Sequence, residues 1–330
     1  MPFEQTLLFI FGLISIFLYT LILRTLRKHR KTALLGGTFF RLVELQFFAE
    51  TFFFIEFSIT MRFRKYTDMY MLFEPGSKIE GFVPRLISGV HYYVKLIVYF
   101  GYIVFAINRL LSALNVSSYN NENKSVWSAK TLKWITVCQW TVPLLGVLPT
   151  HAWPYFDFYL QITTTAIRLN NDEYSTALIA YVDGLACLGT CLFCMTCYII
   201  TGIVLRQHWK RAATNVFKKT NAQSNAERGL LISAVLSFCV LMLNLIVQIL
   251  KIIISWGGIY NIFSIYDISY PMVDLMYSHY PWVLVVTSSA LRKQLIYDVK
   301  LTIRNSLKLD EASMSMARVG QTNGPSKGTS

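Results

Sequence analysis

Glu50, Lys95, Asp183 and Asp274 each stand inside a long apolar stretch of the chain, and these are the side chains with chemistry to do. An ionised group at the centre of a bilayer costs roughly 3 kcal/mol or more unless it is paired or hydrated. Glu50 and Lys95 lie about equally far from the outer ends of their stretches, at Met61 and Leu86. An ion pair between them is the simplest expectation. It either fixes packing only, or leaves Lys95 partly free to meet an acidic group on a ligand. Asp183 and Asp274 add further polar points facing a shared interior, with His91, Tyr181, Tyr270 and Tyr277 around them. The candidate ligand-binding set is therefore His91, Lys95, Tyr181, Asp183, Tyr270, Asp274 and Tyr277. Any single aromatic here is more often packed or interfacial than bound to a ligand. Arg41 and Glu44, spaced i, i+3, are expected to pair with each other.

A second kind of chemistry is suggested where the third stretch ends in Phe105, Ala106, Ile107, Asn108, Arg109 and Leu110. A guanidinium at a membrane boundary can exchange an internal partner for an incoming one, which is what a switch requires. Metal and hydrolytic chemistry is poorly supported. His91, His151 and His279 are scattered without metal-ligand spacing or a partnering Glu. Cys187, Cys191 and Cys194 follow i, i+4, i+7 spacing with Cys197 close behind. Small side chains at helix interfaces are ordinary in membranes, so packing is the expected role. No cofactor is expected. All six cysteines fall in apolar stretches, so no extracellular disulfide framework is implied.

The elements that must carry these residues are seven apolar stretches, at 6–23, 38–61, 86–107, 134–152, 176–205, 229–250 and 268–290. Each has about the 20 residues a helix needs to cross a hydrocarbon core of about 30 Å. A hydrophobic share of 54% and a mean hydropathy of +0.44 agree with an all-α membrane bundle of seven helices. The net charge of +13 does not mean nucleic acid, because the basic residues form short collars beside the apolar spans. By this division 22 of the 31 Lys and Arg residues share one side. Basic short loops stay cytoplasmic, which predicts the N-terminus outside and the C-terminus inside. Five of the seven charges on the opposite side crowd the first outer loop, among them Arg62, Arg64 and Lys65.

The first stretch has no basic region before it and no cleavage site after it, so it reads as an uncleaved signal anchor. The acceptor motifs at Asn115 and Asn123 fall in the second inner loop and are expected to stay unmodified. Over 291–309, Leu291, Leu295, Val299, Ile303 and Leu307 form an apolar stripe opposite Arg292, Lys293, Lys300, Arg304 and Lys308. A basic amphipathic helix along the inner leaflet is predicted there. Residues 310–330 have the composition of a disordered tail. The outer loops are too short for an independent domain, and no internal repeat favours a transporter built from duplicated halves.

Asn108 and Arg109 end the third helix where rhodopsin-like receptors carry Asp-Arg-Tyr, and Pro281 and Trp282 fall where those receptors have Asn-Pro-x-x-Tyr. The stretches AERGLLISAVLSFCVLMLN, from Ala226 to Asn244, and YPMVDLMYSHYPWVLVVTSSALR, from Tyr270 to Arg292, resemble the sixth and seventh helices of nematode serpentine chemoreceptors. The resemblance is to class gamma first and class v next. It implies a G-protein-coupled receptor for chemical cues, in the plasma membrane of sensory neurons. Its implied partners are a small-molecule ligand, a heterotrimeric G protein and the lipid bilayer, with a dimer left open. The family pattern sets Asn108, Arg109 and the basic third inner loop, with Arg206, Lys210, Arg211, Lys218 and Lys219, against the G protein. Two departures stand out: Leu110 follows Arg109, and no cysteine pair ties the third helix to the second outer loop. A seven-helix transporter or ligand-gated channel, with Glu50, Lys95, Asp183 and Asp274 lining its path, is the alternative.

Overall fold

A computed structural model describes residues 2–30, 38–114, 128–152, 157–171, 173–214, 221–256 and 265–322. The helices are α1 (Phe3–Lys28), α2 (Thr38–Glu56), α3 (Phe82–Leu114), α4 (Ala129–His151), α5 (Glu173–Thr214), α6 (Asn221–Trp256), α7 (Ile265–Thr287) and α8 (Ser289–Thr322). The first seven form the bundle and α8 follows it. α3 packs against α2, α4 and α5 and also touches α6, while α1 closes the ring against α7.

The helices are sorted inside out relative to a soluble bundle. On α1, Leu7, Ile10, Phe11, Ile14 and Phe17 are exposed, whereas Gln5, Gly12, Ser15, Tyr19 and Ile22 face inward. Lipid rewards the apolar outer face, and small or polar residues let helices approach each other. Glu4 in the first turn and Arg27 and Lys28 in the last complement the helix dipole.

Among the described residues, four helical stretches cross a membrane by length and composition alone: Phe3–Lys28, Phe82–Leu114, Ala177–Gln207 and Leu231–Ile253. The other three bundle helices are more polar. α2 carries Arg41, Glu44, Glu50 and Glu56, and α7 carries Asp274 with two prolines, Pro271 and Pro281. α4 has Pro143 and Pro149 inside it, and its first turn is capped by Ser128, whose hydroxyl accepts from Thr131 N at 3.2 Å.

α2 does not stop at Met61. It widens into a π-helical segment, Phe57–Phe63, and finishes in a last α-turn, Arg64–Tyr66. Arg62 and Arg64, expected in an outer loop, are therefore buried parts of the helix. A π-segment rotates the residues beyond it relative to an α-helical register. Glu56 before it faces α3, while Arg62 within it faces α1 and α7.

The outer loops are also ordered together. β1 (Lys78–Glu80), β2 (Phe158–Ile162) and β3 (Ile167–Asn171) form an antiparallel sheet in the order β1-β2-β3. The register sets Ile79 opposite Leu160 and Leu160 opposite Leu169. Gly76 and Gly81, at φ 87° and 95°, supply the turns on either side of β1. Leu160, Ile162 and Ile167 make a small core beneath the sheet, with Ile87 of α3 packed on it. Arg64 donates to Ile167 O at 2.9 Å, tying the sheet to the end of α2.

Two core layers fill the bundle. The outer one includes Phe53, Phe57, Val94, Val98, Leu241 and Tyr277, together with Cys187, Cys191, Cys194 and Cys197 of α5. Two of these thiols meet α6, where Cys191 approaches Leu241 O at 3.8 Å and Cys187 accepts from Asn244 at 3.3 Å. The inner layer is built on Tyr19, Phe39, Phe47, Phe105, Tyr280 and Leu284. Leu291 and Leu295 of α8 are buried in that layer and Val299 packs against it, so this part of the stripe faces the bundle and not lipid. Ile303, further along, is exposed.

Candidate functional site

The polar residues of the span interiors gather into separate clusters. In the first, Lys95 of α3 forms a buried ion pair with Asp183 of α5. Tyr99, one turn inward on α3, donates to Asp183 Oδ1 at 3.3 Å and accepts from Asn244 Nδ2 of α6 at 2.7 Å. With its amide oriented to satisfy both ends, Gln248 donates to Asp183 Oδ2 at 2.9 Å and accepts from Lys95 Nζ at 2.8 Å. Asn244, Gln248 and Lys251 recur at i, i+4, i+7, which puts them on one face of α6.

The expected Glu50–Lys95 pair does not form. Glu50 is fully buried and accepts from Gln46 Nε2 at 3.0 Å. It acts electrostatically on Tyr19, Tyr102 and Tyr280. Tyr102 stands seven residues, about two helical turns, inward of Lys95 on α3. The continuation of α2 to Tyr66 moves its outer end beyond Met61, so equal counts from Met61 and Leu86 did not mean equal depth. Gln46 itself accepts from Gln139 of α4 at 3.2 Å. Gly101 of α3 makes room for it, since a Cβ there would overlap Gln46 Oε1.

The second cluster joins α1, α2 and α7. Arg62 donates from Nη2 to both oxygens of Asp274 at 2.5 Å, and Tyr277 donates to Asp274. The guanidinium carbon also lies 5.2 Å from the centre of the Phe57 ring and 5.9 Å from that of Phe9. Tyr270, predicted beside Asp274, packs edge-on to Phe57 at 5.0 Å and to Tyr66 at 5.9 Å, with Lys65 Nζ 5.2 Å from its ring centre. Arg62 was counted as a loop charge because the sequence carries no mark of a π-segment.

His91 is held by a residue the sequence reading passed over. Its Nδ1 lies 3.1 Å from Glu56 Oε2, which bridges α3 to α2. Tyr181 is half-buried on α5, two residues from Asp183 and hence on another face of the helix. Asp183 also lines a small cleft, open to the surface, between α3, α4 and α5.

At the inner end the arrangement is aromatic. Arg109 is buried with its guanidinium carbon 3.8 Å from the centre of the Phe39 ring of α2. It acts electrostatically on Tyr198 of α5 and Tyr280 of α7. Asn108 is fully buried, and its amide makes no hydrogen bond among the described residues. Glu44 pairs with Arg27 of α1 at 2.6 Å, not with Arg41, because the two helix ends converge there. Arg206 is exposed on α5, and Lys210 and Arg211 lie on the same helix. Lys218, Lys219, Asn115 and Asn123 lie outside the described residues.

α8 is tied back at its start. Arg292 donates to Val285 O at 3.1 Å and Val286 O at 3.0 Å, covering carbonyls at the end of α7. Asp298 accepts from Lys28 at 2.7 Å and lies 3.1 Å from His29 Nε2. Partial burial raises the Asp298 carboxyl, but the bonds from Lys28 and His29 outweigh it and hold the group below the usual carboxylate range.

A ring of seven helices with a central third helix, a strand-bearing outer cap and a following amphipathic helix is the fold of a seven-transmembrane receptor. The crystal structure of squid rhodopsin matches it with a TM-score of 0.67 over 92% of this chain and 87% of that chain, at 12% identity, a likeness of fold alone. Residues 5–301 match the family of serpentine-type seven-transmembrane GPCR chemoreceptors Srv, and the chain belongs to that family. It is thus a chemosensory GPCR and a multi-pass membrane protein. Of the two classes the sequence resembles, the match is to v and not to gamma; the diffuse motifs of the sixth and seventh helices did not separate them. No curated protein matches the chain.

Proposed function

We propose that the receptor binds a small molecule in the outer half of the bundle, near Lys95 and Asp183, and that binding opens an inner crevice in which a heterotrimeric G protein meets Arg109. The observation that carries this reading is the position of both sites on α3. Lys95 contacts α5 and α6 at one end, and Arg109 sits among α2, α5 and α7 at the other. Fourteen residues separate them, about 21 Å along the helix axis.

A ligand that binds one arrangement of α5, α6 and α7 better than another shifts their equilibrium by its differential affinity. The Phe39 ring lies against the Arg109 guanidinium, a cation–π contact that an incoming partner's groups can replace. The unmet bonding capacity of the Asn108 amide beside it favours the same reading. Arg206, exposed on α5, and the basic residues that follow it in sequence, Lys210, Arg211, Lys218 and Lys219, are assigned to the G protein in this reading. In this reading the N-terminus is outside, the C-terminus inside, and the receptor acts in the plasma membrane of sensory neurons.

Arg109→Ala tests the output side. Nucleotide exchange on an added G protein should be lost while ligand binding and surface expression persist. Loss of expression would make Arg109 structural and remove it from the coupling role. For the channel alternative, a ligand-gated conductance in a reconstituted bilayer would be the supporting result.

A further inference from the structure

The first outer loop displays an apolar face on an ordered frame. Beyond the last turn of α2 the chain forms a short 3-10 helix, Asp68–Leu72, and runs through Phe73 toward β1. Tyr70 turns inward, where it packs on Leu160, Ile162 and Ile167 beneath the outer sheet. Its neighbours turn the other way: Met69, Met71, Leu72 and Phe73 are exposed, Leu72 by 77% and Met71 by 68%. The backbone fixes this shape. Phe73 N donates to Tyr70 O at 3.1 Å, Ser77 N to Glu74 O at 3.2 Å, and Gly76 N to Ile162 O of β2 at 2.9 Å. Four large apolar side chains held outward together mark a contact with lipid or with another protein.

Two features assign the contact to lipid. The first is continuity with the apolar belt of the bundle. On α2, Phe48, Phe52, Ile55 and Ile59 are exposed at i, i+4, i+7 and i+11, a lipid-facing stripe that leads outward to the loop. After the loop, Phe82, Val83 and Leu86 are exposed in the first turns of α3, Phe82 by 73%. Ile87, next to Leu86, packs on the same small core as Tyr70, so the loop and the start of α3 share one support. The second feature is charge. Between residues 65 and 85, Lys65, Lys78 and Arg85 are matched by Asp68, Glu74 and Glu80. A balanced fringe around apolar residues suits zwitterionic headgroups and offers a charged protein partner no field of one sign.

We propose that the first outer loop is a lipid-contact surface, with Met69, Met71, Leu72 and Phe73 seated in the headgroup–acyl boundary of the nearer leaflet beside Phe82 and Val83. Glu74 and Pro75, exposed where the loop turns back to β1, stay in water. Because Tyr70 joins the same segment to the core under the sheet, the leaflet holds the outer cap in place from the side. The surface is independent of the ligand and G-protein roles above; it requires only that the bundle span a bilayer.

The test uses full-length receptor in phosphatidylcholine nanodiscs, carrying a nitroxide at Leu72→Cys or at Glu74→Cys. In both, the two cysteines that are not buried are replaced, Cys138→Ser and Cys239→Ser. Collision of the label with lipid-soluble oxygen and with a water-soluble nickel chelate reads its depth. The label at 72 should lie about 5–10 Å into the headgroup–acyl boundary, and the label at 74 should read as water. A water-like reading at 72, or equal depth at both positions, would overturn the proposal. So would spin–spin broadening at 72 that disappears on dilution with unlabelled receptor, which would assign the face to a second copy. Unsubstituted receptor gives a second measurement that needs no variant to fold. A hydrophobic diazirine dissolved in the same lipid should, on illumination, modify residues 69–73 and 82–86 as well as the spans. Modification confined to the spans would contradict the proposal.

Discussion

A buried ammonium and a buried carboxylate stabilise a bundle only as a pair, and Lys95 with Asp183 is the sharpest instance here. Lys95→Met leaves the buried Asp183 carboxylate with only the neutral donors Tyr99 and Gln248 and should cost about 3–5 kcal/mol, whereas Lys95→Met with Asp183→Asn should recover much of that loss. Glu50→Gln should change stability by less than about 1 kcal/mol, because the amide Gln46 and not a cation holds it. Equilibrium unfolding of the purified variants checks all three; a large loss from Glu50→Gln would restore Glu50 as an ionised partner. That Lys95, Asp183 and Asp274 are buried polar points was legible in the sequence, because charge inside a long apolar run is visible there. Their partners were not, since pairing depends on helix rotation and depth. Arg62 stayed hidden because a π-segment turned a loop charge into the partner of Asp274.

At the scale of elements, the junction of α6, α7 and α8 is tight. A Cβ on Gly229 of α6 would overlap the backbone carbonyl oxygen of Thr287 at the end of α7, and backbone cannot swing aside as a side chain can. Gly229→Ala should therefore destabilise the receptor by about 1–3 kcal/mol despite the better helix propensity of alanine. A thermal unfolding curve at or above that of wild type would show that the two helices separate freely. The tie from Asp298 to Lys28 and His29 has a definite pH sense. With the folded carboxyl held below its unfolded value of about 3.9, the tie is fully present above that pH and is lost as pH falls through the depressed value. Asp298→Asn should raise amide hydrogen exchange along residues 289–300 at neutral pH; unchanged exchange would mean that Leu291 and Leu295 alone anchor α8. The seven-helix bundle was legible because its helices are dominated by apolar residues, even where charges or prolines interrupt α2, α4 and α7. The outer sheet was not, because strands of three to five residues draw their stability from pairing Ile79 with Leu160 across distant loops.

For the whole molecule, the same α3 that meets the outer cap carries Arg109 to the other end, and α1 closing on α7 makes the ring a single mechanical unit. The orientation of that ring was read from its basic collars. Burial of Arg62 and Arg64 takes into the helix two of the charges expected in the first outer loop. In cells, Asn115 and Asn123 should carry no glycan, as judged by an electrophoretic mobility that glycosidase treatment leaves unchanged; a glycan on either would reverse the bundle. The central claim is that outer binding and inner output are coupled through α3. The most direct measurement is ligand-stimulated nucleotide exchange on a purified G protein by wild-type receptor and Arg109→Ala, with ligand binding measured on the same preparations. The account predicts stimulated exchange in the wild type, and binding without exchange in the variant. Equal stimulation by both would contradict it.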